Sequence, residues 1–406
     1  MDSLADRLSR IAALRPVSTI SRTATDVADA CPDTLIQLLG GELRFTQFGS
    51  HVRVRRRFRS PQPEVISPRA LRLICYNTSA VSPDLSGWLL LDTETTGLAG
   101  GTGTYAFLVG IAWWEQDSFV VEQLFMRNHG EEPSLLLDLE SHFARDRVLV
   151  TFNGKSFDWP LLQTRFRISR IRIREPIAHI DLLHPARRLW RPQLGSVALT
   201  RLERQILKLD RGPDIPSESI PQIYFDFLRG AGPRAIAEVF HHNRMDLCGL
   251  GSLLVHLNTI LSEPEECGCR GSELFGISRM LQKSGGEERL ARRVYEKALE
   301  SGLPADAERA ARRELAFLAK RGCDFERANA LWLELSNDSR EGFRACEQLA
   351  IYYEHKARLP GKALAFSRQA LAKLREAFHA RRITLKEYQR RYAALQRRLT
   401  RLAAKL

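Results

Sequence analysis

The sequence predicts an α/β chain: a mixed sheet flanked by helices, followed by an all-α domain. Three observations carry this. Residues 84 to about 260 alternate strand-like apolar runs with stretches of helical spacing. Residues 261–275 form a break rich in Pro, Gly and Cys. Beyond it only helical periodicity remains, with alanines recurring at matched places.

Residues 1–83 read as an N-terminal region in which Leu4, Leu8 and Ile11 mark a short amphipathic helix. Leu38 to Arg59 reads as turn and strands, punctuated by Gly40-Gly41. The run Arg53, Arg55, Arg56, Arg57, Arg59 is either a phosphate contact or a solvated strand edge. In the 84–260 domain, Trp88–Asp92 is an apolar run ending in acid. Ala106–Trp114 and Phe119–Phe125 flank the polar turn Glu115-Gln116-Asp117 as a hairpin. Leu135–Phe143 has helical spacing, and Val148–Phe152 is a buried-type strand closed by Asn153-Gly154.

The 276–375 region repeats. Ala291, Ala328 and Ala363 occupy matching positions, and Leu315-Ala316 and Leu349-Ala350 stand one tetratricopeptide period apart. In residues 376–406, Leu385, Tyr388, Tyr392, Leu395, Leu399, Leu402 and Leu406 give a basic helix one apolar stripe. Docking on the last repeat, dimerisation and nucleic-acid contact all fit that stripe.

Lys and Arg exceed Asp and Glu by 61 to 48, giving +13 and a pI near 9.7. That excess fits a polyanionic partner, or else a solvated arginine surface. Seven dispersed cysteines argue for a reducing compartment over a disulfide framework. The close pair Cys267 and Cys269 lacks the second pair that structural zinc needs. The start Met-Asp-Ser-Leu-Ala-Asp is unlike a secretory signal, and no unbroken apolar run has membrane-spanning length. A cytoplasmic protein without membrane contact is expected.

The acids carry the chemistry. In Leu89-Leu90-Leu91-Asp92-Thr93-Glu94-Thr95-Thr96-Gly97, strand alternation sends Asp92 and Glu94 to one face. Two carboxylates leaving a buried strand together repel unless a hard divalent cation joins them. In Asn153-Gly154-Lys155-Ser156-Phe157-Asp158, Ser156 is the expected N-cap, placing Asp158 in the first helical turn. His242 and Asp246 stand at i and i+4 on one helix face, with His241 turned away. Each has an ordinary explanation as a surface or capping group; together they read as a site for a hard divalent cation.

Asp92-x-Glu94, Asn153-x3-Phe157-Asp158 and His-x3-Asp246 resemble the three motifs of the DEDD exonucleases. The longer stretches Asp92 to Gly110, Phe152 to Asp158, Asp181 to Arg188 and His242 to Asp246 resemble the bacterial YprB-like family. That resemblance implies an RNase H-like nuclease domain joined to tetratricopeptide repeats, and a 3′→5′ exonuclease releasing 5′-nucleotides. It implies two Mg²⁺ or Mn²⁺ ions about 3.5–4 Å apart, with Asp92 bridging both, Glu94 and Asp246 on one and Asp158 on the other. The base is His242 at the spacing of four, with His241 at the spacing of five as the alternative; free histidine titrates near 6.5.

Nucleic-acid contacts are assigned to Thr95, Gly101, Asn153, Lys155, Arg172 and Arg188. The glycines 97, 100, 101 and 103 lack the Lys of a P-loop and either cradle the terminal nucleotide or form a simple turn. Arg170, Arg172 and Arg174 alternate with Ile171 and Ile173 as one arginine face of a strand, and Trp190 is a candidate for base stacking. Asp181 reads as structural. DNA is the favoured substrate, RNA 3′-processing the runner-up, and the repeats would dock a protein partner, with a helicase the expectation from the resemblance. A catalytically silent scaffold and a nonspecific nucleic-acid binder are the readings from other classes.

Overall fold

The computed structural model describes residues 32–59, 65–75, 81–97 and 102–406. The predicted helix with Leu4, Leu8 and Ile11 lies outside them, as does Gly101. The chain divides into two compact units, Met1–Glu263 and Pro264–Leu406.

The first unit holds α1 (Pro32–Leu39), β1 (Glu42–Thr46), β2 (Gly49–Arg59), α2 (Pro68–Ile74), β3 (Trp88–Thr95), β4 (Ala106–Glu115) and β5 (Ser118–Phe125). Then come α3 (Glu132–His142), β6 (Val148–Thr151), α4 (Asp158–Ile168), β7 (Ala178–Asp181), α5 (Leu183–Leu194), α6 (Leu199–Leu202), α7 (Ile220–Leu228) and α8 (Arg234–Ser262). One seven-stranded sheet runs β1-β2-β5-β4-β3-β6-β7. β3, β6 and β7 are parallel, and the remaining pairs antiparallel.

The sheet is mixed because β3, β4 and β5 follow one another as antiparallel neighbours, with a two-residue turn between β4 and β5, whereas β6 and β7 each follow a helix. β3 alternates faces. Leu89 and Leu91 join a core with Leu135, Leu136 and Leu139 of α3, while Leu90 faces Gly251 of α8. The helix α8 lies across β3, β4 and β5. It is long and apolar enough to span a membrane, but 67% of its most apolar window is buried against protein, as for a core helix. Along β3, the pairing with β6 covers only Trp88–Leu90, so the far end of β3 runs past its parallel neighbour and leaves room for side chains there.

Some expectations are sharpened and others change. Within the N-terminal region, β2 pairs with β5 along Val52–Arg59 and buries Val52, Val54 and Phe58. Four of its arginines are engaged by acids and carbonyls: Arg53 with Glu42, Arg55 and Arg57 with Glu115, Arg56 with the carbonyl of Leu39. Ser156 is not the N-cap of α4; Phe157 holds that position without a side-chain cap bond. Residues 171–176 form no ladder. Ile171 and Ile173 pack on the core, and Arg174 pairs with Asp146.

The second unit is helical: α9 (Gly271–Ser284), α10 (Glu288–Glu300), α11 (Ala305–Arg321), α12 (Phe325–Ser336), α13 (Gly342–His355), α14 (Pro360–His379) and α15 (Leu385–Ala403). Each of these helices packs on the next. Ala291, Ala316, Ala328, Ala350 and Ala363 are all buried, where a methyl group lets backbones approach. The stripe on α15 docks within this unit: Leu395 joins Phe343, Cys346, Ala370 and Leu374, with Tyr388, Tyr392 and Leu399 packed against them. Arg398 and Arg401 hold Glu354. Leu385 and Leu406, at the ends of the stripe, are exposed.

Candidate active site

Asp92 and Glu94 emerge on the face of β3 that α8 covers. Asn243 of α8 donates its side-chain N–H to Asp92 Oδ2 at 2.8 Å, and Gln123 of β5 donates to Asn243 Oδ1 at 2.9 Å and to the Phe240 carbonyl at 2.8 Å. This approach needs Gly110, which pairs with Asp92 across β3 and β4. A Cβ there would stand 2.2 Å from Asn243 Oδ1, so only glycine lets α8 come this close.

One turn along α8, Asp246 faces the same place. Glu94, His242 and Asp246 each offer a ligand atom within 4.8 Å of the others. Asp158, the first residue of α4, comes from the opposite side. Thr93, on the other face of β3, donates its hydroxyl to Asp158 Oδ1 at 2.5 Å. Burial raises the Asp92 and Glu94 carboxyls well above their ordinary range, and Asp246 and Asp158 push both further. Burial also raises Asp158, although the Thr93 bond opposes it. Buried carboxylates repelling one another, with oxygen donors and one imidazole, form a set that fits a hard divalent cation and not a soft one.

Of the two histidines, His242 faces the acids. Its Nε2 lies 3.5 Å from Asp246 Oδ2 and 3.4 Å from Ser217 Oγ, and its Nδ1 lies 2.8 Å from Asp214 Oδ1. His241, one residue round the helix, contacts Arg244 at 2.8 Å and is lowered by burial and by that arginine.

Sequence reasoning missed Asp214, Arg211, Glu203 and Asn243. Arg211 contacts Glu203, Asp214 and Asp246 together. Burial lifts Glu203 to about 7 even against that pairing. Asp214 is lowered: burial would raise it, but the bonds from His242 and Arg211 prevail. The loop 208–216 has no apolar periodicity, and Arg211-Gly-Pro-Asp214 reads as an ordinary turn. Only the adjacency of Asn243 to His242 hinted at its role.

The predicted nucleic-acid contacts divide. Thr95 gives its hydroxyl to the Gly97 carbonyl at 3.0 Å. Asn153, at φ 71°, and Lys155 donate backbone N–H groups to Asp181, as does Leu183; Asp181 is therefore a turn clamp. The Lys155 side chain and Arg172 are exposed, and Arg188 is half-buried on α5. Trp190 is fully buried and stacks on His256 at 5.9 Å, so it cannot receive a base. Phe157, beside Asp158, is the exposed aromatic instead, with 54% of its surface open.

The acids and the sheet that carries them define a class of protein. The RNase H superfamily model matches residues 89–258, from β3 through most of α8, and the chain belongs to that superfamily. It is similar to YprB of Bacillus subtilis (strain 168), with 33% identity over 306 residues, spanning 74% of this chain and 72% of that protein.

Proposed function

We propose that this chain is a divalent-metal-dependent 3′→5′ exonuclease of the DEDD type, acting on DNA and releasing 5′-nucleotides. The observation that carries the reading is the convergence of Asp92, Glu94, Asp158 and Asp246 with His242 at the end of β3. Mg²⁺ or Mn²⁺ ions would be held by Asp92, Glu94 and Asp246, with Asp158 on the far side. Such ions supply charge stabilisation at phosphorus and a more acidic attacking water.

The chain's own residues do the rest. His242 takes the proton of the attacking water at Nε2. Asn243 orients Asp92 through its 2.8 Å bond. Phe157 offers a stacking surface to the terminal base, and the exposed Lys155 and Arg172 contribute phosphate contacts, with Thr95, Asn153 and Arg188 bordering the strand's path. The helical unit, with its buried alanines, serves as a tetratricopeptide platform for a protein partner.

The test uses 3′-labelled single- and double-stranded DNA and RNA with Mg²⁺, Mn²⁺ or EDTA. Wild type releases nucleotides from DNA only with metal, and Asp92→Ala does not. Release that persists in Asp92→Ala, or in EDTA, overturns the mechanism; preference for RNA reassigns the substrate. His242→Ala loses activity, whereas His241→Ala keeps it.

A further inference from the structure

His242 sits inside a closed ring of contacts that the four-acid motif does not include. A carboxylate only accepts hydrogen bonds, so the 2.8 Å contact from Nδ1 to Asp214 Oδ1 requires the proton on Nδ1. The neutral ring then presents its lone pair at Nε2, the nitrogen that faces Asp246 and Ser217. The second oxygen of Asp214 lies 3.2 Å from Arg211 Nη1. The same guanidinium contacts Asp246 Oδ1. One cation thus ties together the two carboxylates on either side of the imidazole, which would otherwise repel.

Arg211 is itself fixed. Its Nη2 bonds Glu203 Oε1 at 2.6 Å, and its Nε bonds the other oxygen. Glu203 starts a π-helical turn, Glu203–Leu207, and its carboxylate lies against α8 at Gly249. The chain of support therefore runs from α8 out through Glu203 and Arg211 to Asp214, and back to His242 on α8. The Asp214 side chain is 17% exposed and that of Arg211 7%, so this pair is not a solvent-screened surface ion pair.

We propose that Asp214 is a positioning residue that sets the tautomer and ring orientation of His242, and that Arg211, anchored by Glu203, holds Asp214 in place. The kinetic part rests on the nuclease reading above; the tautomer does not. A carboxylate that sets the tautomer of a histidine base is worth up to about 10⁴-fold in kcat when it is replaced by the amide.

The test compares wild type, Asp214→Ala, Asp214→Asn and Arg211→Ala, with His242→Ala to assign the ring signals. Long-range ¹H–¹⁵N spectra of ¹⁵N-histidine-labelled full-length protein in EDTA, above the ring's titration, report the tautomer directly. Wild type shows Nδ1–H; Asp214→Ala moves toward Nε2–H. Asp214→Asn keeps the shape but its amide can donate to Nδ1, so it too turns the ring to Nε2–H. On metal-loaded enzyme both variants lose kcat by about 10-fold or more with KM little changed. A purely structural Asp214 would leave Asp214→Asn like wild type in spectrum and rate, which overturns the proposal, as does Nε2–H in wild type. If Asp214→Ala fails to fold, Asp214→Asn alone decides. If wild type releases no nucleotide, the nuclease reading fails while the spectra still test the positioning.

Discussion

The carboxylate of Glu203 occupies the place where a side chain at position 249 would begin: a Cβ on Gly249 would stand 1.6 Å from Glu203 Oε1. This glycine lies inside α8, where glycine ordinarily costs helix stability, so its presence has a packing reason. Gly249→Ala must push Glu203 off the helix and with it loosen Arg211. The expected cost is about 1–3 kcal/mol, as for overpacking a filled core. Urea unfolding of Gly249→Ala, Glu203→Ala and the double variant checks it. The two changes should be non-additive; strict additivity would mean that the notch and the carboxylate are unrelated.

Neutralising one acid of the cluster should stabilise the metal-free protein while abolishing activity. Asp92 is raised by burial and by three neighbouring carboxylates, and its ionised form is unfavourable without a cation. Asp92→Asn removes one of the repelling charges and keeps the shape. In EDTA at neutral pH its melting temperature should exceed that of wild type by roughly 2–4 °C per kcal/mol relieved. Adding Mn²⁺ should raise the wild-type midpoint more than the variant's. Equal midpoints in EDTA would show that the acids do not strain the fold.

Thr93 faces away from Asp92 and Glu94 yet holds Asp158 at 2.5 Å. Thr93→Val preserves the β-branched shape and removes the donor. The expected result is a loss of about 10-fold or more in Mn²⁺ affinity by calorimetry, with little change in unfolding midpoint. Unaltered Mn²⁺ binding would remove Thr93 from the site.

The centre of the sheet was legible because β3, β4, β5 and β6 are mostly apolar runs and its hairpin has a polar two-residue tip; β4 and β5 turn at Gln116 and Asp117. Strand and helix periodicity put Asp92 with Glu94, and His242 with Asp246, on shared faces, and the structure brings these four side chains and Asp158 close together. What escaped depends on long-range packing. Nothing local in Arg53–Arg59 says that Glu42 and Glu115 will neutralise much of it. Nothing near Trp190 says that His256 covers it. Asp214 lies 28 residues before His242, on a loop without periodicity, so no pattern links the two. Ile171 and Ile173 alternate as a strand should, but they pack on the core while their segment makes no ladder.

A buried pair far from the acids gives a prediction about acid stability. His51 of β2 is fully buried and lies 3.1 Å from Asp138 of α3. Burial would raise Asp138, but the His51 bond and the charges of His51, Arg53 and Arg44 together lower it. A carboxyl with a depressed folded pKa binds its proton more readily when unfolded. Its stabilisation is therefore complete above the unfolded value of about 4 and is lost as pH falls through the lower folded value. Asp138→Asn should cost about 1.5–3 kcal/mol at pH 7, the range for a hydrogen bond to a charged group. The gap between wild type and variant should hold down to about pH 4 and close below it. Denaturant titrations at pH 7, 5 and 3 measure that gap. A gap that stays constant to pH 3 would mean that the bond to His51 does not depend on the charge of Asp138.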